Sequence, residues 1–297
     1  MKRIFFVFLA ALCFAAVSFA APLHVAATTT IVADVVANIG GDRIILTTLL
    51  PIGADPHNFE PTPADAAKLS HAEIIFLNGM HLESALEPLI NSAAKQARII
   101  EVSAGIHAAE PEGHDHHDHD HNGLDPHVWT DPHNIRVWVS NIVKYLIELD
   151  PDGAEIYRLN GERYDDQLLT LDEWIREQIE LIPRNHRVLV TDHLMFGYFA
   201  ERYGFTQIGA IIPGYSTLAE PSARELATLE DAIGTHHVKA IFVGNTVNPT
   251  LARRVAEDTG TKLITIYTGA LTGPDGGAPT YLDYMRSNVT AIVNGLK

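Results

Sequence analysis

The stretch AEIYRLNGERYDDQLLTLDEWIREQIELI, residues 154–182, decides the fold because of what lies on either side of it. Apart from Gly161 it contains no helix breaker until Pro183 ends it, so the pattern predicts one long helix. With the preceding NIRVWVSNIVKYLIELDP it makes the whole segment 134–183 helical and free of strands. A helix holds two lobes at a nearly fixed separation, which a flexible linker cannot do. The segment therefore predicts a helical connection between two lobes.

Both flanks of this connection alternate short β-branched runs with amphipathic stretches, which is typical of a parallel sheet covered by helices. In the first lobe, residues 21–133, the predicted strands are 23–28, 45–50, 73–79 and 98–102, and the predicted helices are 31–39, 64–70 and 82–95. In the second lobe, residues 184–297, the predicted strands are 187–192, 206–211, 239–245 and 262–268, and the predicted helices are 196–203, 221–233, 250–259 and 280–296. The sequence thus predicts an α/β protein with two lobes, each a mainly parallel sheet. Ligands of such folds bind beyond the carboxyl ends of strands or between lobes.

Residues 1–20 have the features of a secretory signal peptide. Lys2 and Arg3 precede an apolar run over 4–17, and the following SFA is a small-x-Ala cleavage sequence. The apolar run is shorter than the ~20 residues that a membrane span needs. Cys13 lies inside this segment, and the residues before it do not form a lipoprotein signal. We therefore expect an exported protein whose mature chain has no disulfide and no thiol ligand.

The charge balance narrows the possible partners. Cleavage after residue 20 leaves 19 basic and 37 acidic residues, so the formal net charge falls from −16 to −18. A surface this acidic repels nucleic acid and attracts cations.

Histidines follow the predicted strands in both lobes. His57 lies in the loop LPIGADPHNFEPTPAD after the second strand, and His193 directly follows the strand RVLVTD. Asp-Pro-His occurs three times, at 55–57, 125–127 and 131–133; proline fixes the backbone there, and the aspartate could orient the imidazole. A lone loop histidine is more often only solvated, but three imidazoles converging from separate loops form a Zn²⁺ arrangement. The histidines outside such contexts are interpreted as structural or surface residues: His24, His71, His81, His107, His186, His236 and His237.

The densest histidines belong to EGHDHHDHDHNGLDPHVWTDPHN, residues 112–134. Five of them alternate with aspartates between two glycines and without any apolar residue: His114, His116, His117, His119 and His121. Such a segment cannot bury enough surface to order itself, so we predict a mobile loop over 113–123. Its interior position and interleaved aspartates argue against a purification tag. We expect it to capture Zn²⁺ weakly and pass it on, or to sense metal abundance, while either His127 or, as the alternative, His133 contributes to an ordered site.

Six stretches together resemble one family: TTTIVADVVANIGGDRI, LLPIGADPHNFEPTPADAAKLSHAEIIFLNG, DPHVWTDPHN, TDHLMFGYFAERYG, EPSARELATL and PTYLDYMRSN. The family is the metal-specific solute-binding proteins of bacterial ABC transporters, the ZnuA/TroA-like zinc and manganese group. The resemblance covers essentially the whole mature chain. It implies two α/β lobes joined by a long backbone helix, with metal bound in the cleft by His57, His127 and His193.

The resemblance also bears on the metal and on the fourth ligand. Manganese-binding members often have a glutamate where this chain has His193, and imidazole favours zinc while Mn²⁺ prefers oxygen. Related proteins commonly place an acidic residue after the last strand, where this chain has Gly269. A glycine-rich loop could bring Asp275 back to the metal, water could complete the tetrahedron, and Glu60 is a weaker substitute.

The expected function is high-affinity capture of Zn²⁺ in the periplasm and its delivery to an inner-membrane ABC permease, by a monomer that catalyses no reaction. A manganese- or iron-binding member of the same family is the first alternative. A zinc-dependent hydrolase using the same histidines is the second, although the chain has no His-Glu-x-x-His helix, nucleophile elbow or phosphate loop. A surface adhesin that binds metal for stability is the third. Acid should weaken metal binding, because protons compete for the same nitrogens.

Overall fold

The structure is a computed structural model that describes residues 21–107 and 124–297. The first lobe contains β1 (Leu23–Ala27), α1 (Thr30–Gly40), β2 (Ile44–Thr48), α2 (Pro63–Leu69), β3 (Ile74–Leu77), α3 (Glu87–Ala93) and β4 (Arg98–Glu101). All three strand pairings are parallel, and the strand order is β2-β1-β3-β4. The carboxyl ends of these strands therefore meet at one edge of the sheet.

The second lobe repeats this architecture. The helices α4 (Pro132–Leu149) and α5 (Ala154–Ile179) connect the two lobes. The second lobe then contains β5 (Val188–Thr191), α6 (Gly197–Tyr203), β6 (Thr206–Ala210), α7 (Ala223–Thr235), β7 (Ala240–Gly244), α8 (Thr250–Thr259), β8 (Lys262–Ile266) and α9 (Tyr281–Leu296). Its sheet is also parallel, in the order β6-β5-β7-β8. The predicted fold of two parallel α/β lobes is confirmed.

The connection between the lobes is the pair α4 and α5. Asp131 caps α4 by accepting a hydrogen bond from His133 N at 2.8 Å, and Pro132 fits the first turn, where no N–H partner exists. The 26 residues of α5 span about 39 Å. Gly161 lets the two helices approach, because a Cβ there would lie 2.7 Å from Val143 Cγ2. The long helix predicted from the sequence is confirmed.

One hydrophobic core extends through both lobes. It includes large, fully buried side chains from α4, α5 and α9: Trp138, Tyr157, Tyr164, Tyr281 and Tyr284. Asp34 of α1 accepts hydrogen bonds from Tyr281 N at 3.0 Å and from the Tyr164 hydroxyl at 3.3 Å, which joins elements of both lobes and the connection. Smaller clusters cover the outer face of each sheet. Because the lobes share a core, large independent movement of either lobe is unfavourable.

The differences from the predicted elements lie at their ends. The helix predicted over 82–95 is only α3, because Pro88 lies in its first turn and a short 3-10 turn, Ser84–Leu86, precedes it. The helix predicted from 221 begins at Ala223, because Ser222 and Glu225 form a capping box. The predicted boundary at 134 falls inside α4. None of the helices in the described ranges is long and apolar enough to cross a membrane.

Candidate metal centre

Three histidines from three separate loops meet between the lobes. His57 comes from the loop after β2, His127 from the segment before α4, and His193 from the residues directly after β5. The Nε2 atom of His127 lies 3.1 Å from Nε2 of His57 and 3.1 Å from Nε2 of His193. All three ligand nitrogens lie within 4.8 Å of one another. The fold thus brings together the three histidines that the sequence singled out.

Two of the imidazoles are oriented by buried carboxylates. Asp125 Oδ1 lies 2.7 Å from His127 Nδ1, and Asp192 Oδ1 lies 2.7 Å from His193 Nδ1. A carboxylate accepts hydrogen bonds, so each Nδ1 carries the proton and each Nε2 keeps its lone pair. The same oxygens also accept the backbone N–H of the histidine, at 2.9 Å for His127 and 2.7 Å for His193. This arrangement fixes both the tautomer and the ring direction that metal coordination needs.

His57 is held differently, and from the other lobe. Its backbone N–H donates to Asp55 Oδ1 at 3.0 Å, while Asp55 Oδ2 accepts the hydroxyl of Thr217, in the second lobe, at 2.6 Å. His57 is also the partly exposed member of the three, whereas His127 and His193 are buried. The position of this imidazole therefore depends on the contact between the lobes.

The Trp129 ring packs against the His127 imidazole. The two rings meet edge-on, with 5.2 Å between the centroids, and the indole N–H donates to Tyr284 of α9 at 3.2 Å. The first-lobe ligand is thus backed by the last helix of the chain.

Burial keeps the His57 and His127 imidazoles neutral. It lowers the pKa of His57 and His127 well below 6.5, and the neighbouring histidines lower both further. Burial raises the pKa of Asp125 to about 7. Burial opposes ionisation of Asp192 as well, but hydrogen bonds from His193 and from Gly244 N outweigh it and hold the pKa of that carboxyl below its usual value.

The Nε2 lone pairs of His127 and His193 face each other at 3.1 Å, an arrangement that a cation between them stabilises. A tetrahedral ion with bonds of 2.0–2.1 Å places its nitrogens about 3.3 Å apart. The observed 3.1 Å separations match this requirement closely. The chemistry of the donors fits a divalent metal ion.

The predicted fourth ligands do not join the three histidines. Asp275 is exposed in a turn that closes on itself, since Thr272 N donates to Ala278 O at 2.9 Å and Ala278 N to Thr272 Oγ1 at 3.1 Å. Glu60 is also exposed. Gly269 does line the cavity beside the histidines, but a Cβ there would lie 2.5 Å from Pro56 Cδ. Contact between the lobes thus fills the space that a side chain at 269 would need.

The Asp-Pro-His pattern was only partly informative. Of its three aspartates only Asp125 reaches the ring of its histidine; Asp55 and Asp131 accept the backbone N–H of theirs instead. His133 is exposed in the first turn of α4 and lies apart from the three histidines. Asp192 was missed, although its place between a strand end and a histidine was a usable signal. The predicted loop 113–123 with its five histidines and the signal segment 1–20 lie outside the described residues.

Comparisons with known proteins agree with this fold. The model of a family described as "ZnuA: Zinc-uptake complex component A periplasmic" matches residues 25–295. The manganese-binding lipoprotein MntA of Halalkalibacterium halodurans is 36% identical over 275 residues, which cover 92% of this chain and 88% of that protein. The manganese ABC transporter substrate-binding lipoprotein PsaA of Streptococcus anginosus is 31% identical over 281 residues, covering 92% and 89%.

Two solved structures show the same likeness. The Mn-bound periplasmic metal binding protein of Candidatus Liberibacter asiaticus has a TM-score of 0.82 and 30% identity, covering 93% of this chain and all of that one (100%). The periplasmic zinc binding protein TroA of Treponema pallidum has a TM-score of 0.84 and 27% identity, covering 93% of this chain and 99% of that one.

Two α/β lobes on a helical support, with imidazoles converging between them, define the class of metal-binding substrate-binding proteins that serve ABC transporters. Within that class, the chain belongs to the ZnuA family. It is a binding protein that acts outside the cytoplasm, and it is not an enzyme.

Proposed function

We propose that this protein captures Zn²⁺ in the periplasm and delivers it to an inner-membrane ABC permease, with His57, His127 and His193 as the ligands. The observation that carries the proposal is the donor set. All three ligand atoms are imidazole nitrogens, and the described residues add no carboxylate to the group. Nitrogen donors favour Zn²⁺, whereas Mn²⁺ is better served by carboxylate and water oxygens. Water is the fourth ligand that we propose.

Manganese is the second candidate, because MntA and PsaA are named for it. In this chain, however, the carboxylates around the site are engaged elsewhere. Asp55, which lines the cavity, accepts the backbone N–H of His57 and the hydroxyl of Thr217. Asp125 and Asp192 each face an Nδ1 atom and orient the ring instead of facing the ion. The donor set therefore supports zinc over manganese.

Release can follow from a small movement. Two ligands belong to the first lobe and His193 to the second, so the ion joins the lobes as the Asp55–Thr217 hydrogen bond does. A coordination bond tolerates only about ±0.2 Å, so separating the lobes by about 1 Å breaks the site although the shared core stays intact. Docking on the permease would supply that separation. We propose that the histidines of residues 114–121 assist capture and that the protein acts as a monomer.

A competitive titration tests the choice of metal. Metal-stripped mature protein is titrated with Zn²⁺ and Mn²⁺ against a chelator, alongside His193→Ala and a variant with the five loop histidines replaced by alanine. We expect one tight Zn²⁺ site that survives replacement of the loop histidines, is lost in His193→Ala and binds Mn²⁺ at least about tenfold more weakly. Equal or tighter Mn²⁺ binding would reject zinc and favour the second candidate.

We also propose that residues 1–20 are a cleaved signal peptide and that Cys13 carries no lipid. The relatives named lipoproteins make the alternative, a lipid anchor, worth testing. Mass spectrometry of the exported protein should give a chain that begins near Ala21 without acylation, and Cys13→Ser should leave its soluble fraction unchanged. An acylated N-terminal cysteine would overturn this part of the proposal.

A further inference from the structure

A groove of about 490 Å³ opens between the lobes beside the three histidines. Its walls include Met80 and His81 from the first lobe and Tyr215 and Leu218 from the second. His57 lines both this groove and the small cavity that holds the three imidazoles. This one side chain therefore separates the buried centre from the open groove.

The backbone on the first-lobe side of the groove is strained. Met80 and His81 are consecutive residues with positive φ, 51° and 64°. Each left-handed residue other than glycine costs on the order of 1–3 kcal/mol and persists only where its surroundings enforce it. Strain of this kind is concentrated at functional sites, so a pair of such residues calls for an explanation.

A buried carboxylate enforces the strain. Glu83 accepts the backbone N–H of Asn78 at 2.7 Å, the N–H of Gly79 at 3.1 Å and the hydroxyl of Thr28 at 2.7 Å. These bonds anchor the turn that follows β3. The Asn78 side chain also donates to the carbonyl of Pro126 at 3.0 Å, directly before a histidine of the centre. The turn with the left-handed pair is thus built into the wall of the metal site.

The Met80 and His81 side chains in the turn after β3 are suited to one class of metal ion. His81 is exposed and lines the groove, as does Met80, whose thioether accepts the Tyr198 hydroxyl at 3.7 Å. The described residues that line the groove include no carboxylate, lysine or arginine. Imidazole and thioether bind borderline and soft cations of the Zn²⁺ class, whereas Mg²⁺, Ca²⁺ and Mn²⁺ prefer oxygen.

We propose that the groove is a transfer site for Zn²⁺-class cations, in which His81 is the first ligand and His57 passes the ion inward to His127 and His193. The inference rests on the proposed zinc-binding function and adds a route and a residue to it. Among the described residues, only His57 lines both the groove and the cavity of the three imidazoles, so exchange of ligands at His57 connects them without opening the shared core. A transient ligand of this kind speeds arrival and departure equally, because it is not bonded to the ion in the final complex.

The test measures rates of Zn²⁺ binding by stopped flow with a fluorescent zinc indicator. The protein is the mature chain with the five loop histidines replaced by alanine, so that they cannot substitute for the groove. The variant is His81→Asn, since asparagine tolerates the left-handed backbone. Its matched control is His237→Asn, the same change at another exposed histidine with positive φ, 51°, outside the groove.

We expect His81→Asn to lower both the association and the dissociation rate constants by about tenfold, with Kd unchanged within about twofold. His237→Asn should change neither rate. Unchanged rates in His81→Asn would overturn the transfer site, and so would a weaker Kd with an unchanged association rate, because that result would place His81 in the final complex. Failure of the proposed function has a different signature, since the parent protein would then lack tight Zn²⁺ binding altogether. Thermal unfolding of each variant verifies that the fold is intact.

Discussion

Replacing Asp192 by asparagine should weaken Zn²⁺ binding although Asp192 does not face the ion. Its Oδ1 accepts both the ring Nδ1–H and the backbone N–H of His193, each at 2.7 Å, and its Oδ2 accepts Gly244 N–H at 2.5 Å. Asparagine has one acceptor oxygen and one NH₂ group, so it cannot satisfy all three donors.

Either orientation of the new amide carries a cost. If the NH₂ group faces Gly244, two buried donors oppose each other, which costs about 1–3 kcal/mol of stability. If it faces His193, the ring must accept at Nδ1 and carry its proton at Nε2, where the metal needs a lone pair. Losing such an orienting partner typically lowers metal affinity 10–100-fold, or about 1.4–2.7 kcal/mol.

Competition with a chelator of known affinity measures this loss. Asp231→Asn, the same change at an exposed position on α7, is the control and should stay within about twofold of the parent protein. An Asp192→Asn variant that folds and binds Zn²⁺ within about threefold of the parent would refute the reasoning. The orienting hydrogen bond would then be irrelevant to the site.

Three further predictions concern the contact between the lobes and the protonation of the site. Gly269→Ala should weaken Zn²⁺ affinity by at least about tenfold, because the added Cβ would lie 2.5 Å from Pro56 Cδ. The control is Gly234→Ala, where a Cβ meets nothing within 4 Å. Equal Zn²⁺ titration curves for the two variants would contradict the account. Thr217→Val removes the hydroxyl that donates to Asp55 across the cleft at 2.6 Å. It should speed Zn²⁺ dissociation about 2–13-fold, equivalent to about 0.5–1.5 kcal/mol. An unchanged dissociation rate in a chelator chase would show that this hydrogen bond does not hold the lobes together. His57 and His127 should stay neutral in the metal-free protein at pH values where a free imidazole is protonated, because burial lowers both pKa values well below 6.5. An NMR titration in which these two ring signals shift near pH 6.5 would contradict the account.

The sequence was sufficient to predict the fold because its periodicity is strong and its helix signals are local. The long run ended by Pro183 became α5, and each predicted strand appears within two residues of its expected bounds. The ends that moved depend on particular local interactions, such as the capping box of Ser222 and Glu225. The hydrophobic periodicity of the sequence carries no information about these capping interactions.

Ligand residues that follow strand ends or lie in the Asp-Pro-His pattern could be predicted from the sequence. Interactions that depend on contact between the lobes could not. His57 and His193 follow strand ends, and His127 belongs to the repeated Asp-Pro-His pattern, so the sequence singled them out. The Asp55–Thr217 bond joins residues 162 positions apart, and no local pattern connects them. Asp275 was proposed as a ligand because it is near Gly269 in sequence, but the turn around Thr272 keeps it exposed. His81 was interpreted as a structural or surface residue because the sequence gives it no context of the kind that marks the candidate ligands, and its left-handed backbone appears only in the structure.

The most direct test of the central claim is zinc K-edge X-ray absorption on the mature protein loaded with one equivalent of Zn²⁺, with the five loop histidines replaced by alanine. The account predicts four N or O donors at about 2.0–2.1 Å, with the multiple scattering of three imidazoles. His193→Ala should lose one of these imidazoles or lose the ion. A spectrum with one imidazole or none, or one that His193→Ala leaves unchanged, would place the zinc elsewhere and contradict the account.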